Sequence, residues 1–230
     1  MKLAVIPARG GSKRIPHKNV KLFCGKPIIG WSIASAQESE CFDRIIVSTD
    51  DEEIADIARS FGAEVPFLRP KTLSDDHSGT TPVIAHAINW QSKNGKAATH
   101  VCCIYPTAPF IQPTDLILGM EMLLNNDVAY VFSVTTFDFP IQRALKINLD
   151  NRIEMLSPQH FNTRSQDLEK MWHDAAQFYW GRSEVWVSGA PVFSTNSLPV
   201  ILPRYRVQDI DTMEDWVQAE LMFRSIKNLG

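Results

Sequence analysis

The residues best equipped for chemistry are concentrated near the N-terminus, in the stretch Arg9-Gly10-Gly11-Ser12-Lys13-Arg14-Ile15-Pro16-His17-Lys18-Asn19. Adjacent glycines let a backbone turn tightly and bring its N–H groups close to an anion. Arg9, Lys13 and Lys18 supply enough positive charge for a triphosphate, with arginine suited to bidentate contact. The loop is neither the GxxxxGK[ST] of a P-loop nor the GxGxxG of a dinucleotide fold. Its alternative reading is a solvated basic loop. A second group stands near the C-terminus. Asp209 and Asp211, two residues apart on an extended segment, present their carboxylates to one side and can converge on a cation. Magnesium, which takes one or two carboxylates plus water and substrate phosphates, fits that pair. The same residues can also open the helix after Thr212, since Asp favours a helix start.

Other chemistries do not assemble. The six histidines show no HExxH and no Cys/His ligand spacing, and there is no GxSxG elbow for a serine hydrolase. Cys24, Cys41, Cys102 and Cys103 form no CxxC pair, and two of them are adjacent within an apolar run. They read as reduced core residues. The 230 residues carry a net charge of -3, which argues against nucleic-acid binding. Yet the first 37 residues hold seven Lys or Arg and no acidic residue. A basic segment within a mildly acidic chain points to a small anionic ligand. Five apolar residues precede Pro7 and Arg9, too few for a signal peptide, and no stretch of 18 apolar residues occurs. No membrane association and a cytoplasmic protein are expected.

The elements that must position these residues alternate. Lys2 to Pro7 reads as a strand buried on both faces, and the basic loop follows it. A helix is predicted from Pro27 to Ser39, then a strand over residues 44–48. The next helix spans Asp51 to Phe61, capped by Thr49 or Asp50 and closed at Gly62. A short strand at 64–68, a helix from Thr80 to Gln91, a strand at 101–105, a helix from Pro113 to Asn125 and a strand at 129–134 continue the alternation. Periodicity breaks over 137–173, read as an insertion in a single domain of residues 1–230. Strands at 176–180, 190–194 and 200–202 and a helix from Thr212 to about Lys227 end the chain. Such a pattern predicts an open, mostly parallel sheet with helices on both faces, binding its ligand at the carboxyl ends of the strands.

The stretch Ile6-Pro7-Ala8-Arg9-Gly10-Gly11-Ser12-Lys13, continuing to Lys18-Asn19, resembles the nucleotide-binding signature of the sialic acid (N-acylneuraminate) cytidylyltransferases. Further matches follow in order: residues 42–50, Leu68-Arg69-Pro70 with residues 73–76, Tyr105-Pro106-Thr107-Ala108-Pro109, and Asp209-Ile210-Asp211-Thr212. Any one of these is modest; five in order are specific. The resemblance implies a Rossmann-like three-layer α/β/α fold of the nucleotide-diphospho-sugar transferase type. It also implies CTP as donor, a CMP-sugar and pyrophosphate as products, Mg²⁺ as cofactor, and a homodimer whose insertion reaches the partner's site. It casts Arg9, Lys18 and Asp211 as catalytic, and Asp209 and Asp211 as the metal pair. Ala8, Gly10, Gly11, Ser12, Lys13, Asn19, Arg69, Asp76, Ser78 and Thr80 join Arg9 and Lys18 around the nucleotide. Without the resemblance, residues 74–80 would only cap the helix that follows. No covalent nucleophile is required, because the anomeric hydroxyl of the sugar can attack the α-phosphorus directly.

A nonulosonic acid carries a carboxylate, so an arginine is expected near the sugar. Arg164, with Arg143 in reserve, lies in the insertion. The run from His160 to Glu169, followed by Met171 to Trp180, resembles the pseudaminic acid branch of the family, which supplies surface glycans or flagellin. It departs from the sialic acid enzymes, where Gln stands at Tyr105 and Asn-Gly at about Asp174-Ala175. Tyr105, Gln177 and Tyr179 are expected to border the sugar, although aromatic residues here could equally form the core of the insertion. N-acetylneuraminic and legionaminic acids are the alternative substrates, and a catalytically silent nucleotide-binding protein is the alternative class.

Overall fold

The computed structural model describes residues 1–75 and 78–227. Strand β1 (Lys2–Pro7) alternates its side chains between two cores. Ala4 and Ile6 join the first, Leu3 and Val5 the second, and all four are fully buried. That two-sided burial is why the strand reads as an unbroken apolar run. The basic loop leads into a small hairpin, β2 (Leu22–Phe23) with β3 (Lys26–Pro27), and then helix α1 (Ile28–Glu38). Strand β4 (Arg44–Ser48), helix α2 (Glu52–Ser60), helix α3 (Thr80–Lys93), strand β5 (His100–Ile104), helix α4 (Pro113–Asn125) and strand β6 (Tyr130–Thr136) follow. The excursion then carries a hairpin, β7 (Leu145–Ile147) with β8 (Ile153–Met155). Strand β9 (Trp172–Arg182), helix α5 (Ser183–Ser188), strand β10 (Ser197–Ile201) and helix α6 (Met213–Lys227) complete the chain.

The main sheet has the order β10-β6-β9-β5-β1-β4. Five strands are parallel; β9 runs against both β5 and β6. Helices α1, α2 and α4 cover one face through Ile33, Ile54 and Leu116, and α3 and α5 cover the other through Ile84 and Trp186. Helix α6 packs on β2 through a third cluster in which Phe23 meets Trp216 and Phe223 edge to face. The mostly parallel, helix-covered sheet expected from the pattern is the observed one. Cys102 and Cys103 are fully buried, and burial pushes both thiols up, so they stay protonated in the core.

Several local expectations are corrected. The cap of α2 is Asp51, whose Oδ1 accepts the Ile54 N–H at 3.0 Å; Asp50 turns the other way. Residues 64–68 make only single bridges, Ile46 with Glu64 and Thr49 with Leu68, because Pro66 has no N–H for a ladder. No strand forms at 190–194, where α5 ends in a left-handed Gly189 and irregular chain follows. Strand β9 is longer than expected and begins inside the span read as insertion. A bulge lies opposite Phe132 and Val134, with Ala176 at a φ of 51° and its N–H held by Asp174 Oδ1. No helix among the described residues is long and apolar enough to cross a membrane.

Candidate active site

The basic loop leaves the carboxyl end of β1, and its shape is set by neighbours distant in sequence. The Gly10 N–H donates to Asp50 Oδ1 at 3.1 Å, and the Nδ2 of buried Asn19 donates to the Arg9 carbonyl at 2.9 Å. Gly10 is required by close approach: a Cβ there would stand 2.6 Å from Asp51 Oδ2. The expected tight turn is present, with the Ser12 N–H on the Gly10 carbonyl at 2.9 Å. Neither glycine has a positive φ and Gly11 faces open space, however, so glycine itself is demanded by packing at Gly10 alone. Ala8 is fully buried, its N–H on the Ser48 carbonyl, and lies beneath the loop.

The loop walls a cleft of about 310 Å³. Arg9, Ser12, Lys13, Arg14, Lys18 and Asn19 line one side and Arg69, Ser78, Gly79 and Thr80 a second, and Tyr105 and Asp211 are among the residues that complete it. Ten of the expected site residues thus meet there from five separate segments. The Arg9 guanidinium donates to the Asp75 carbonyl at 3.0 Å, tying the loop to the turn before α3. Ser78 closes that turn through Asp75 Oδ1. Asp76 lies outside the described residues. Helix α3 opens at Gly79 with no side-chain cap among the described residues, and its N–H groups and positive dipole end face the cleft. Arg69 is buried against Asp50, and its Nε has no partner among the described residues.

Opposite α3 stands the acidic segment. Ile210 is fully buried, and Asp209 and Asp211 flank it. Lys18 Nζ donates to the Ile210 carbonyl at 2.7 Å and lies 3.6 Å from Asp211; Arg14 reaches Asp211 at 2.8 Å. The helix-opening role belongs to Thr212 and Asp215, which bond reciprocally in a capping box. Asp211 is therefore released from capping. Asp209 retains solvent contact, yet partial burial first, and then the neighbouring Asp211, push its pKa up, against the lowering effect of Lys18. Two crowded carboxylates with hard oxygen donors are a fitting seat for a divalent cation, which would relieve their repulsion. No cluster of three metal-ligating side chains exists among the described residues, so substrate phosphates and water would complete such a shell.

A second cleft of about 670 Å³ opens along the excursion, between Thr135, Phe137, Arg143, His173 and Arg204. Arg143 lines it and donates to Ser165 Oγ at 3.3 Å, whereas Arg164 is exposed and lines neither cleft. Arg204, paired with Asp138 at 3.0 Å, was not foreseen, because nothing local links it to the excursion. Val207, two residues before Asp209, also lines this cleft, which therefore adjoins the acidic segment. Tyr105 reaches Thr80 Oγ1 at 3.3 Å across the first cleft. Tyr179 and Gln177 are buried behind that wall. The Tyr179 hydroxyl donates to Asp174, and burial pushes its pKa up. Arg14 and Asp50, absent from the expected site, help to build it; Asp50 stands in one of the matched stretches, which is the signal that could have found it.

A family model described as cytidylyltransferase matches residues 3–223. The chain belongs to the cytidylyltransferase family. Among curated members, the pseudaminic acid cytidylyltransferase of Campylobacter jejuni is 43% identical over 96% of both chains. The CMP-N,N'-diacetyllegionaminic acid synthase of Legionella pneumophila is 30% identical, over 95% of this chain and 94% of its own. Among solved structures, a CMP:2-keto-3-deoxy-manno-octonic acid synthetase complexed with CTP superposes with a TM-score of 0.70. It covers 97% of this chain and 98% of its own at 16% identity, a likeness of fold. The family resemblance read from the five motifs is thereby established over nearly the whole chain.

Proposed function

We propose that this cytidylyltransferase transfers CMP from CTP to a nonulosonic acid, pseudaminic acid first among them, and releases pyrophosphate. The observation that carries the reading is the convergence of Lys18 and Arg14 on Asp211, in a cleft closed by the start of α3. Full-length similarity to a pseudaminic acid cytidylyltransferase supports the choice of sugar.

In this reading the anomeric hydroxyl oxygen of the sugar attacks the α-phosphorus. A new P–O bond forms, the bond to the α,β-bridging oxygen breaks, and the hydroxyl proton passes to solvent or a nearby base. Arg9, Lys13 and Lys18 stabilise charge on the phosphates and on the departing pyrophosphate. Arg69, Ser78, Thr80 and Asn19 hold the nucleoside. Asp209 and Asp211 would hold Mg²⁺, whose bound chemistry is charge neutralisation at the phosphates. The second cleft, with Arg143, suits the sugar and its carboxylate. The excursion exposes Phe139, Ile147, Leu149, Ile153 and Phe161, an apolar surface of the kind that marks an interface. A homodimer would cover it and carry Arg164 toward the partner's site.

Pyrophosphate release from CTP, measured with pseudaminic, legionaminic and N-acetylneuraminic acids in turn, tests the proposal. Fastest release with pseudaminic acid is expected. Preference for another acid would reassign the sugar, and no release with any of the three would refute the enzymatic reading.

A further inference from the structure

Three residues before the acidic pair, the chain turns an arginine inward. Arg206 is 8% exposed, and its Nη1 and Nη2 meet the two oxygens of Asp115 at 2.6 and 3.0 Å. Asp115 is itself 8% exposed, in the first turn of α4, where its Oδ2 also accepts the Gln112 N–H. From the other side, Gln177 on β9 donates its Nε2 to the Arg206 carbonyl at 2.6 Å. Gln177 is 3% exposed, and its Oε1 has no partner among the described residues. One residue is thus gripped by its side chain from α4 and by its backbone from β9. None of the three lines the cleft of the basic loop.

A buried ion pair is a poor way to gain stability, since desolvation offsets its attraction and apolar residues of the same shape often serve as well. What it supplies is a fixed orientation. The next inward anchor along the chain is Ile210, fully buried. Asp209 lies between these anchors and Asp211 follows directly. A segment pinned at both ends has few ways to move its carboxylates apart, although their mutual repulsion favours that movement.

We propose that Asp115, Arg206 and Gln177 are positioning residues that hold Asp209 and Asp211 together for a divalent cation. The inference rests on reading the acidic pair as the metal seat. It gives Gln177 a role away from the sugar.

The test uses the full chain and Mn²⁺ with CTP, following the enhancement of water-proton relaxation that Mn²⁺ gains when held on the slowly tumbling protein, with Mn²⁺ and CTP alone as the reference. Gln177→Met withdraws the amide donor without stranding a charge, and it also removes the unpartnered oxygen. Asp115→Asn keeps the shape and withdraws the counter-ion. Each is expected to weaken Mn²⁺ retention by about 10- to 100-fold, the usual effect of losing a group that orients metal ligands. CTP binding measured by calorimetry in EDTA is expected to stay unchanged. Should Asp115→Asn fail to fold, Gln177→Met decides alone. Wild-type Mn²⁺ retention in folded Gln177→Met overturns the clamp and leaves the acidic pair as the metal seat. A parallel loss of CTP binding in EDTA also overturns it, assigning the three residues to general support of the cleft. Failure of the unaltered protein to retain Mn²⁺, or undiminished retention in Asp209→Asn, overturns the metal reading and the clamp with it.

Discussion

Replacing Gly10 by alanine probes how the anion loop is shaped. The added Cβ would lie 2.6 Å from Asp51 Oδ2 and 2.9 Å from Asp51 Cβ. Carbon atoms settle at about 3.5–4.0 Å, so roughly 1 Å of displacement must be found. If Asp51 yields, it loses the cap bond to the Ile54 N–H at 3.0 Å, worth about 1 kcal/mol. In a chain of this size that lowers Tm by about 2–4 °C. If the loop yields, the bond from Gly10 N–H to Asp50 stretches and Arg9 moves with it. Misplacing a substrate-positioning group by about 1 Å can lower turnover by about 10²-fold. Asp51 is fixed by the helix it starts, so the loop should take much of the shift. The expected outcome is a fall in kcat/KM of about 10-fold or more with a modest loss in Tm, read by pyrophosphate release and thermal unfolding. Gly11→Ala, which meets nothing within 4 Å, should leave both unchanged. A Gly10→Ala enzyme with wild-type kcat/KM and Tm would refute the reasoning.

Asp209→Asn should act in opposite directions on stability and rate. With its pKa raised above 3.8, native Asp209 binds more protons than the unfolded chain, so its ionisation lowers stability as pH rises through that window and remains unfavourable above it. The variant should therefore melt higher than wild type in EDTA at neutral pH, while its kcat with Mg²⁺ falls by roughly 10²-fold. A lower melting temperature or an unchanged kcat would contradict this. Arg143→Ala, at the second cleft, should raise KM for the sugar and leave CTP binding nearly intact. Arg164→Ala should do the same only if a partner subunit brings Arg164 to the site, so its effect on KM should appear with the dimer and vanish in a monomeric variant.

Much of the fold is legible because its signals are local. Lys2–Pro7, Arg44–Ser48 and His100–Ile104 are buried on both faces and read as apolar runs wherever they sit in the sheet. Helix α4 carries its own start, with Pro113 at its first position and a capping box between Gln112 and Asp115. The short elements are less legible. Helix α5 has six residues, fewer than two turns, and is held by Trp186, which meets Tyr130 of β6 edge to face and donates its Nε1 to the Val101 carbonyl of β5, rather than by any repeat of its own. The cap of α2 shows a choice that propensity cannot make. Asp50 and Asp51 are chemically equal candidates, and Asp50 is drawn away by Gly10 and Arg69, from segments 40 and 19 residues distant.

The site divides in the same way. The sequence by itself determined which groups are available: an anion loop after a buried strand, two carboxylates flanking an apolar residue, and five ordered motifs that name the family. Tertiary structure alone decided which of them meet. Lys18 and Asp211, Arg9 and Asp75, and Arg206 and Asp115 are joined across the order β10-β6-β9-β5-β1-β4. It also turned Gln177 inward and left Arg164 on the surface. The reason is physical. Burial periodicity reports only which face of an element is covered, whereas side-chain partnership depends on which elements the sheet places side by side, and no local pattern carries that.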